Sequence, residues 1–167
     1  SVINLKDIQR ISNPYGHTIQ LLKGIGYDWT TLQLGEATET TNDPKNLRGT
    51  YVQYKFSGVK SDNVTVYVYT VPTFPIYTGK SNQFGISVDG QPAIVSENLP
   101  TEYSDAWKTQ VLQNGTVTTA TFPIQKNLKN HTLTLTCGDP GVLIQRIVID
   151  WGGLKQTYVG PSSFLKN

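Results

Sequence analysis

Cysteine is almost absent: among 167 residues there is one, Cys137. No disulfide can form within the chain, and structural zinc, which needs several Cys and His ligands at set spacings, has no ligand set. The place of Cys137 in HTLTLTC, after Leu133 and Leu135 at alternate positions, reads as a core residue. Histidine is nearly as scarce, with only His17 and His131. Nucleophilic catalysis by Ser or Cys needs a base beside the nucleophile, and neither histidine has a G-x-S-x-G turn or a Cys-His context around it. His17, in NPYGHT, reads as a loop residue and His131 as a strand-end residue. No apolar run approaches the length of a membrane span, and the opening SVINLKDIQR lacks the basic-then-apolar build of a signal peptide. Charge is low and balanced: Lys and Arg number 14 against 12 Asp and Glu, for a net charge of +2 with the basic residues scattered. Charge therefore gives no reason to expect a nucleic-acid or anionic-membrane partner.

What the chain has in quantity is period-two alternation. In NVTVYVYTV, Val64, Val66 and Val68 face one way and Thr65, Tyr67 and Tyr69 the other, which is a half-buried strand. TYVQYKFS (50 to 57), QFGISVD (83 to 89), GTVTTATFPI (115 to 124) and HTLTLTC (131 to 137) repeat the pattern, and 142 to 150 is a near-continuous apolar strand. Asp89-Gly90, Asn114-Gly115 and Asp139-Pro140-Gly141 supply the turn chemistry between them. The length fits one domain, 1–167, and the strands predict an all-β, antiparallel sandwich or barrel. Two short strands are expected in the first forty residues. TEYSDAWKTQVLQN (101 to 114) reads as a loop with one turn of helix.

Most carboxylates sit in turns or polar loops, so no acid/base pair for glycoside hydrolysis stands out. Asp150 differs, because it ends the apolar strand after Ile147, Val148 and Ile149. A partly buried carboxylate there calls for Arg146, four residues back on the same face, a backbone donor, or a bound cation. Aromatic residues are the other resource, since sugar C–H faces stack on Trp and Tyr. Trp29, Trp107, Tyr103 and Tyr77 are the candidate sugar-binding residues, and Trp151, Tyr15, Tyr27 and Tyr158 are further loop or strand-end aromatics. Arg48 can pair a uronic carboxylate through its planar fork. The bland alternatives are Trp side chains capping the core and Arg48 as a solvated loop charge.

VTVYVYTVPTFPI, FGISVDGQP, SDAWKTQVLQN, HTLTLTCGDPGVLIQRIVID and GGLKQTYVGP, in that order, resemble the C-terminal β-sandwich domain of glycoside hydrolase family 115, the xylan α-glucuronidases; with YDWTTLQLGEA the resemblance spans most of residues 27 to 163. The resemblance implies a galactose-binding-like, jelly-roll sandwich similar to carbohydrate-binding modules, with the catalytic centre in other domains. It implies an accessory role with two kinds of partner, a plant cell-wall polysaccharide such as glucuronoxylan and the catalytic domain of the parent enzyme. A secreted or periplasmic location follows from it, as does a structural calcium with Asp150 at the position of the last-strand ligand. The alternative is a packing or dimerisation domain without a sugar site.

Overall fold

Where side chains alternate between apolar and polar, one face of a strand must be buried against another sheet, and this chain solves the problem twice. The computed structural model describes residues 1–38, 42–73, 75, 80–96 and 103–154. The strands are β1 (Val2–Ile3), β2 (Arg10–Ser12), β3 (Ile19–Lys23), β4 (Thr30–Leu34), β5 (Tyr51–Ser57), β6 (Asn63–Thr70), β7 (Gly85–Val88), β8 (Ile94–Val95), β9 (Thr116–Pro123), β10 (Asn130–Thr136) and β11 (Leu143–Asp150), with a helix, α1 (Asp105–Leu112), before β9. The first sheet runs β3-β4-β11-β6-β9, with β1 also on β11, and the second runs β2-β5-β10-β7-β8. All pairings are antiparallel. The protein is an all-β antiparallel sandwich, so of the two architectures left open by the strand pattern it adopts the first.

The core lies between the inner faces. Val64, Val66 and Val68 of β6 and Ile144, Ile147 and Ile149 of β11 meet Val52 and Tyr54 of β5, Ile86 and Val88 of β7 and Leu133 and Leu135 of β10, all fully buried. The apolar run of β11 is explained by its position: it is flanked by β6 on one edge and by β4 and β1 on the other. Asp89 and Gly90 have φ of 51° and 74°, and the Gln91 N–H bonds the Val88 carbonyl at 3.0 Å, the two-residue turn that the Asp-Gly pair predicts.

Two local expectations are corrected. Where the sequence suggests a loop with one helical turn, there is an eight-residue helix, α1, capped by the Ser104 hydroxyl, which accepts from the Trp107 N–H at 3.2 Å, with Asp105 in its first turn. None of its residues is fully buried, and the short run after Pro100 hides it in the sequence. The N-terminal forty residues hold four strands rather than two; β1 and β2 are two and three residues long, too short to alternate visibly.

Cys137 is buried beneath the sheets at 3% exposure, with its thiol donating toward the Leu34 carbonyl. Burial pushes its pKa up from 9.0 to about 11, Glu36 adding to the rise and the Asn42 amide opposing it. The unfolded thiol ionises near 9 while the folded one holds its proton to about 11. Its contribution is therefore complete below pH 9 and is lost between pH 9 and 11, by about 3 kcal/mol. Tyr54, raised by burial with its hydroxyl on the Leu5 carbonyl, extends the same trend upward. Urea unfolding midpoints should fall steeply between about pH 9 and 11, with a shallower fall in Cys137→Ala; equal slopes would contradict this.

Candidate functional site

The tip of the hairpin between β3 and β4 is built on glycine. Gly26 has a φ of 86°, and a Cβ there would lie 2.6 Å from Thr31 Oγ1 and 2.9 Å from Gln145 Cβ. Only glycine lets the tip fold down onto β11. The tip carries Tyr27, whose ring lies under the Arg146 guanidinium at 5.0 Å and meets Tyr69 edge-on at 6.2 Å. Asp28 closes the group: Arg146 Nη2 donates to its Oδ1 at 3.0 Å and Nε to its Oδ2 at 3.4 Å. Arg146 is 4% exposed. Burial raises the Tyr27 and Tyr69 hydroxyl pKa values against the opposing pull of Arg146, so both stay protonated donors.

Of the partners open to Asp150 from the sequence, Arg146 is not the one taken. Four residues along a strand span about 13 Å, too far for one side chain to bridge comfortably; Asp28 reaches Arg146 from the side. Asp150 instead accepts the Gly152 N–H at 2.9 Å, so the backbone donor is the partner it takes. Among the described residues no group of three or more His, Cys, Asp or Glu side chains converges.

The candidate sugar-binding aromatics divide. Tyr103 and Trp107 come together at the start of α1, ring centroids 5.2 Å apart and planes at 55°, with Tyr103 69% exposed and Trp107 half-buried. Trp29, at a φ of 54°, is 73% exposed on the hairpin tip. The Tyr27 hydroxyl donates to the Gln113 carbonyl at 3.2 Å, and Gln145 Nε2 donates to the Asn114 carbonyl at 2.9 Å. The hairpin tip and the end of α1 are thus adjoining parts of one loop cluster over the first sheet. Arg48 is elsewhere: it is exposed in the β4 to β5 loop, whose Leu47 lines an open cleft with Gln53, Thr132 and Thr134 on the outer face of the second sheet. Tyr77 and Tyr158 lie outside the described residues. Trp151 packs on the core, and Tyr15 is exposed beside His17.

Several polar groups that look like ordinary turn or loop residues in the sequence are organisers in the fold. Asp139 is 5% exposed and its Oδ2 accepts the N–H groups of Ser81 and Gln83 at 3.1 and 3.0 Å, fixing the loop that enters β7. His17 has Nδ1 at 2.9 Å from Glu36 and Nε2 at 2.9 Å from Asn42. His131 is 2% exposed, with Nδ1 at 2.7 Å from Asp89. A dense run of like-facing Val and Thr hides such partners in sequence, because each lies a strand or more away.

Known proteins of similar sequence or shape agree with this architecture. The family described as "Glycosyl hydrolase family 115 C-terminal domain" matches residues 2–163. No match was found among curated protein sequences. Among solved structures, a family 115 4-O-methyl-α-glucuronidase with specificity for decorated arabinogalactans superposes with a TM-score of 0.66 at 20% identity, over 87% of this chain and 18% of that one. A family 35 carbohydrate-binding module from Clostridium thermocellum gives 0.56 at 14% identity, over 89% and 97%. The carbohydrate-binding module of Cellvibrio mixtus lichenase 5A, in complex with cellotriose, gives 0.50 at 13% identity, over 90% and 95%. At these identities the likeness is one of fold: a jelly-roll sandwich of the carbohydrate-binding-module kind. The chain spans under a fifth of the glucuronidase it superposes on.

Proposed function

The chain belongs to the glycosyl hydrolase family 115 C-terminal domain family, and from that premise we propose that this accessory, non-catalytic part of a larger glycoside hydrolase binds plant cell-wall glycan, glucuronoxylan first among them. The observation that carries the proposal is the pair of Tyr103 and Trp107, a tilted aromatic surface with one ring 69% exposed on a loop cluster of a carbohydrate-binding-module-like sandwich. An exposed aromatic ring is what a sugar C–H face packs against. The substrate of the glucuronidase relative, a decorated arabinogalactan, and the cellotriose of the lichenase module widen the panel to be tried. Acting on wall polymers places the parent enzyme outside the cytoplasm, secreted or periplasmic; no helix among the described residues is long and apolar enough to cross a membrane.

Affinity electrophoresis in gels containing glucuronoxylan, arabinogalactan or a soluble β-glucan is the test. Retardation by at least one polymer is expected, with Trp107→Ala and Tyr103→Ala each weakening it about tenfold. Failure to bind any polymer in the panel would remove the binding claim.

A second reading is favoured by one observation. Leu112 is 82% exposed and Val111 43%, both on α1, and Val117 of the neighbouring β9 is 46% exposed. Such side chains suit contact with the catalytic domain of the parent enzyme or with a second subunit. Co-sedimentation with that catalytic domain, lost in Leu112→Asp, would favour this reading over the first.

A further inference from the structure

Asn114-Gly115, turn chemistry in the sequence, is the one Asn-Gly pair in the chain. The fold demands both residues. Asn114 has a φ of 50°, a left-handed conformation that Asn tolerates and most side chains do not. At Gly115 a Cβ would overlap the Tyr27 hydroxyl oxygen and lie 2.9 Å from Gln145 Nε2, so no larger residue fits while the hairpin tip sits against the end of α1. The joint ties several elements together. The Gly115 N–H donates to the Gln110 carbonyl of α1 at 3.1 Å, the Asn114 carbonyl accepts from Gln145 Nε2 of β11 at 2.9 Å, and the Gln113 carbonyl accepts the Tyr27 hydroxyl of the hairpin tip at 3.2 Å.

The same pair is the most reactive among the chain's asparagines. A backbone nitrogen can attack the side-chain carbonyl carbon of a preceding Asn, and glycine alone places no side chain in the way. Every other Asn that has a following residue precedes Leu, Pro, Asp, Val, Gln or His. The Asn114 side chain is exposed, and its amide has no hydrogen bond among the described residues, so no partner holds it out of reach. What restrains the reaction is the bond from the Gly115 N–H to Gln110, because the nitrogen must give up that partner and its proton before it attacks. That bond depends on the last turn of α1, none of whose residues is fully buried. Opening so lightly packed an element costs little.

We infer that Asn114 is a site of spontaneous covalent modification, a deamidation gated by the opening of α1. The Gly115 nitrogen loses its proton to solvent and bonds to Asn114 Cγ; the bond from Cγ to the side-chain nitrogen breaks, and ammonia leaves. Water then adds to the succinimide at either carbonyl, giving Asp or isoaspartate with no change of oxidation state. Isoaspartate lengthens the main chain by a methylene at the joint and sets a carboxylate beside the C-terminal end of α1, where the helix dipole disfavours it. Gln113, Asn114 and Gly115 can then no longer keep all their anchors, and α1 is released from the hairpin tip. The inference does not depend on the glycan reading.

The test is incubation of the whole chain in warm, mildly alkaline buffer, followed by peptide mapping that separates Asn, Asp and isoaspartate. Conversion to isoaspartate is expected at Asn114 ahead of the exposed Asn63 and Asn130. Ser104→Ala removes the cap of α1 and should speed conversion at Asn114 about fivefold while leaving Asn63 unchanged. Trypsin should cut the converted chain at Lys108, within α1, about tenfold faster than the fresh chain. Asn114→Gly keeps the left-handed turn and has no amide to lose, so it should gain no such sensitivity over the same incubation. Intact Asn114, or earlier conversion at Asn63 or Asn130, overturns the site. An unchanged rate in Ser104→Ala, or a rise shared by Asn63, overturns the gating by α1. Equal cleavage at Lys108, or a gain in Asn114→Gly, overturns the release.

Discussion

Gly85→Ala lowers the stability of the protein by about 3 kcal/mol or more, although it adds a single methyl group. Gly85 opens β7, whose neighbours are β10 and β8, and a Cβ at this position would overlap the Pro44 carbonyl oxygen and the Thr136 hydroxyl. Those two groups are themselves hydrogen-bonded to one another, so neither can move aside without breaking the bond that ties the 42 to 50 loop to β10. The backbone of Gly85 is not left-handed. Strand conformation alone would make alanine neutral or slightly favourable there, since glycine loses more freedom on folding. The whole cost is steric. Gly58 supplies the contrast, with a φ of 81° and no atom within 4 Å of the place a Cβ would occupy; alanine there bears only the left-handed penalty of about 1 to 2 kcal/mol. With a urea slope of about 2 kcal/mol per molar, Gly85→Ala shifts the midpoint down by about 1.5 M. A smaller shift than that of Gly58→Ala would show that the loop yields.

His131→Ala is expected to cost about 3 kcal/mol, and so to lower the thermal midpoint by about 10 °C for a chain of this size. The imidazole is 2% exposed and stacked on Phe56, centroids 5.3 Å apart and planes at 30°. Its Nδ1–H donates to Asp89 Oδ2 at 2.7 Å, while Asp89 Oδ1 accepts the Thr132 N–H at 2.8 Å. One carboxylate thereby joins the turn after β7 to the start of β10. His131→Phe retains the ring contact and gives up the hydrogen bond, so it should recover about half of the loss. If the alanine variant melts within two or three degrees of the parent, the residue is an ordinary strand end after all.

His131 also shows where sequence reasoning stops. Its position at the head of an alternating strand was legible, because Leu133 and Leu135 set the phase and place it on the inner face. Its partner was not, since Asp89 is 42 positions away and enters through the β7 turn. The same holds for Arg146, whose strand is marked by its apolar run while its counter-ion is 118 positions distant. The long strands were readable for the same reason that the core is: burial on one face imposes period two. β1, β2 and β8 have two or three residues each and exist through register with a longer neighbour. α1 was read as a single turn because its run is short and follows a proline. Residue type was enough to nominate Tyr103 and Trp107, and the left-handed turn at Tyr103 just before α1 brings their rings together. It was not enough to show that Arg48 sits in the β4 to β5 loop, away from the α1 aromatics.

The placing of β11 bears on how the chain is made. It is the middle of the first sheet and pairs with strands as early as residue 2, yet of the described strands it is the last to leave the ribosome. At about 5 to 20 residues per second, β3, β4, β6 and β9 wait several seconds with an unfilled slot between them. During that interval the valines of β6 have no partner on one side and are open to wrong pairings, a hazard of long-range sheet closure. This sheet therefore closes only after residues 143 to 150 have emerged, and C-terminal truncations that cut into them should yield insoluble product rather than a smaller folded unit. Circular permutants that deliver β11 early should be the easier variants to produce.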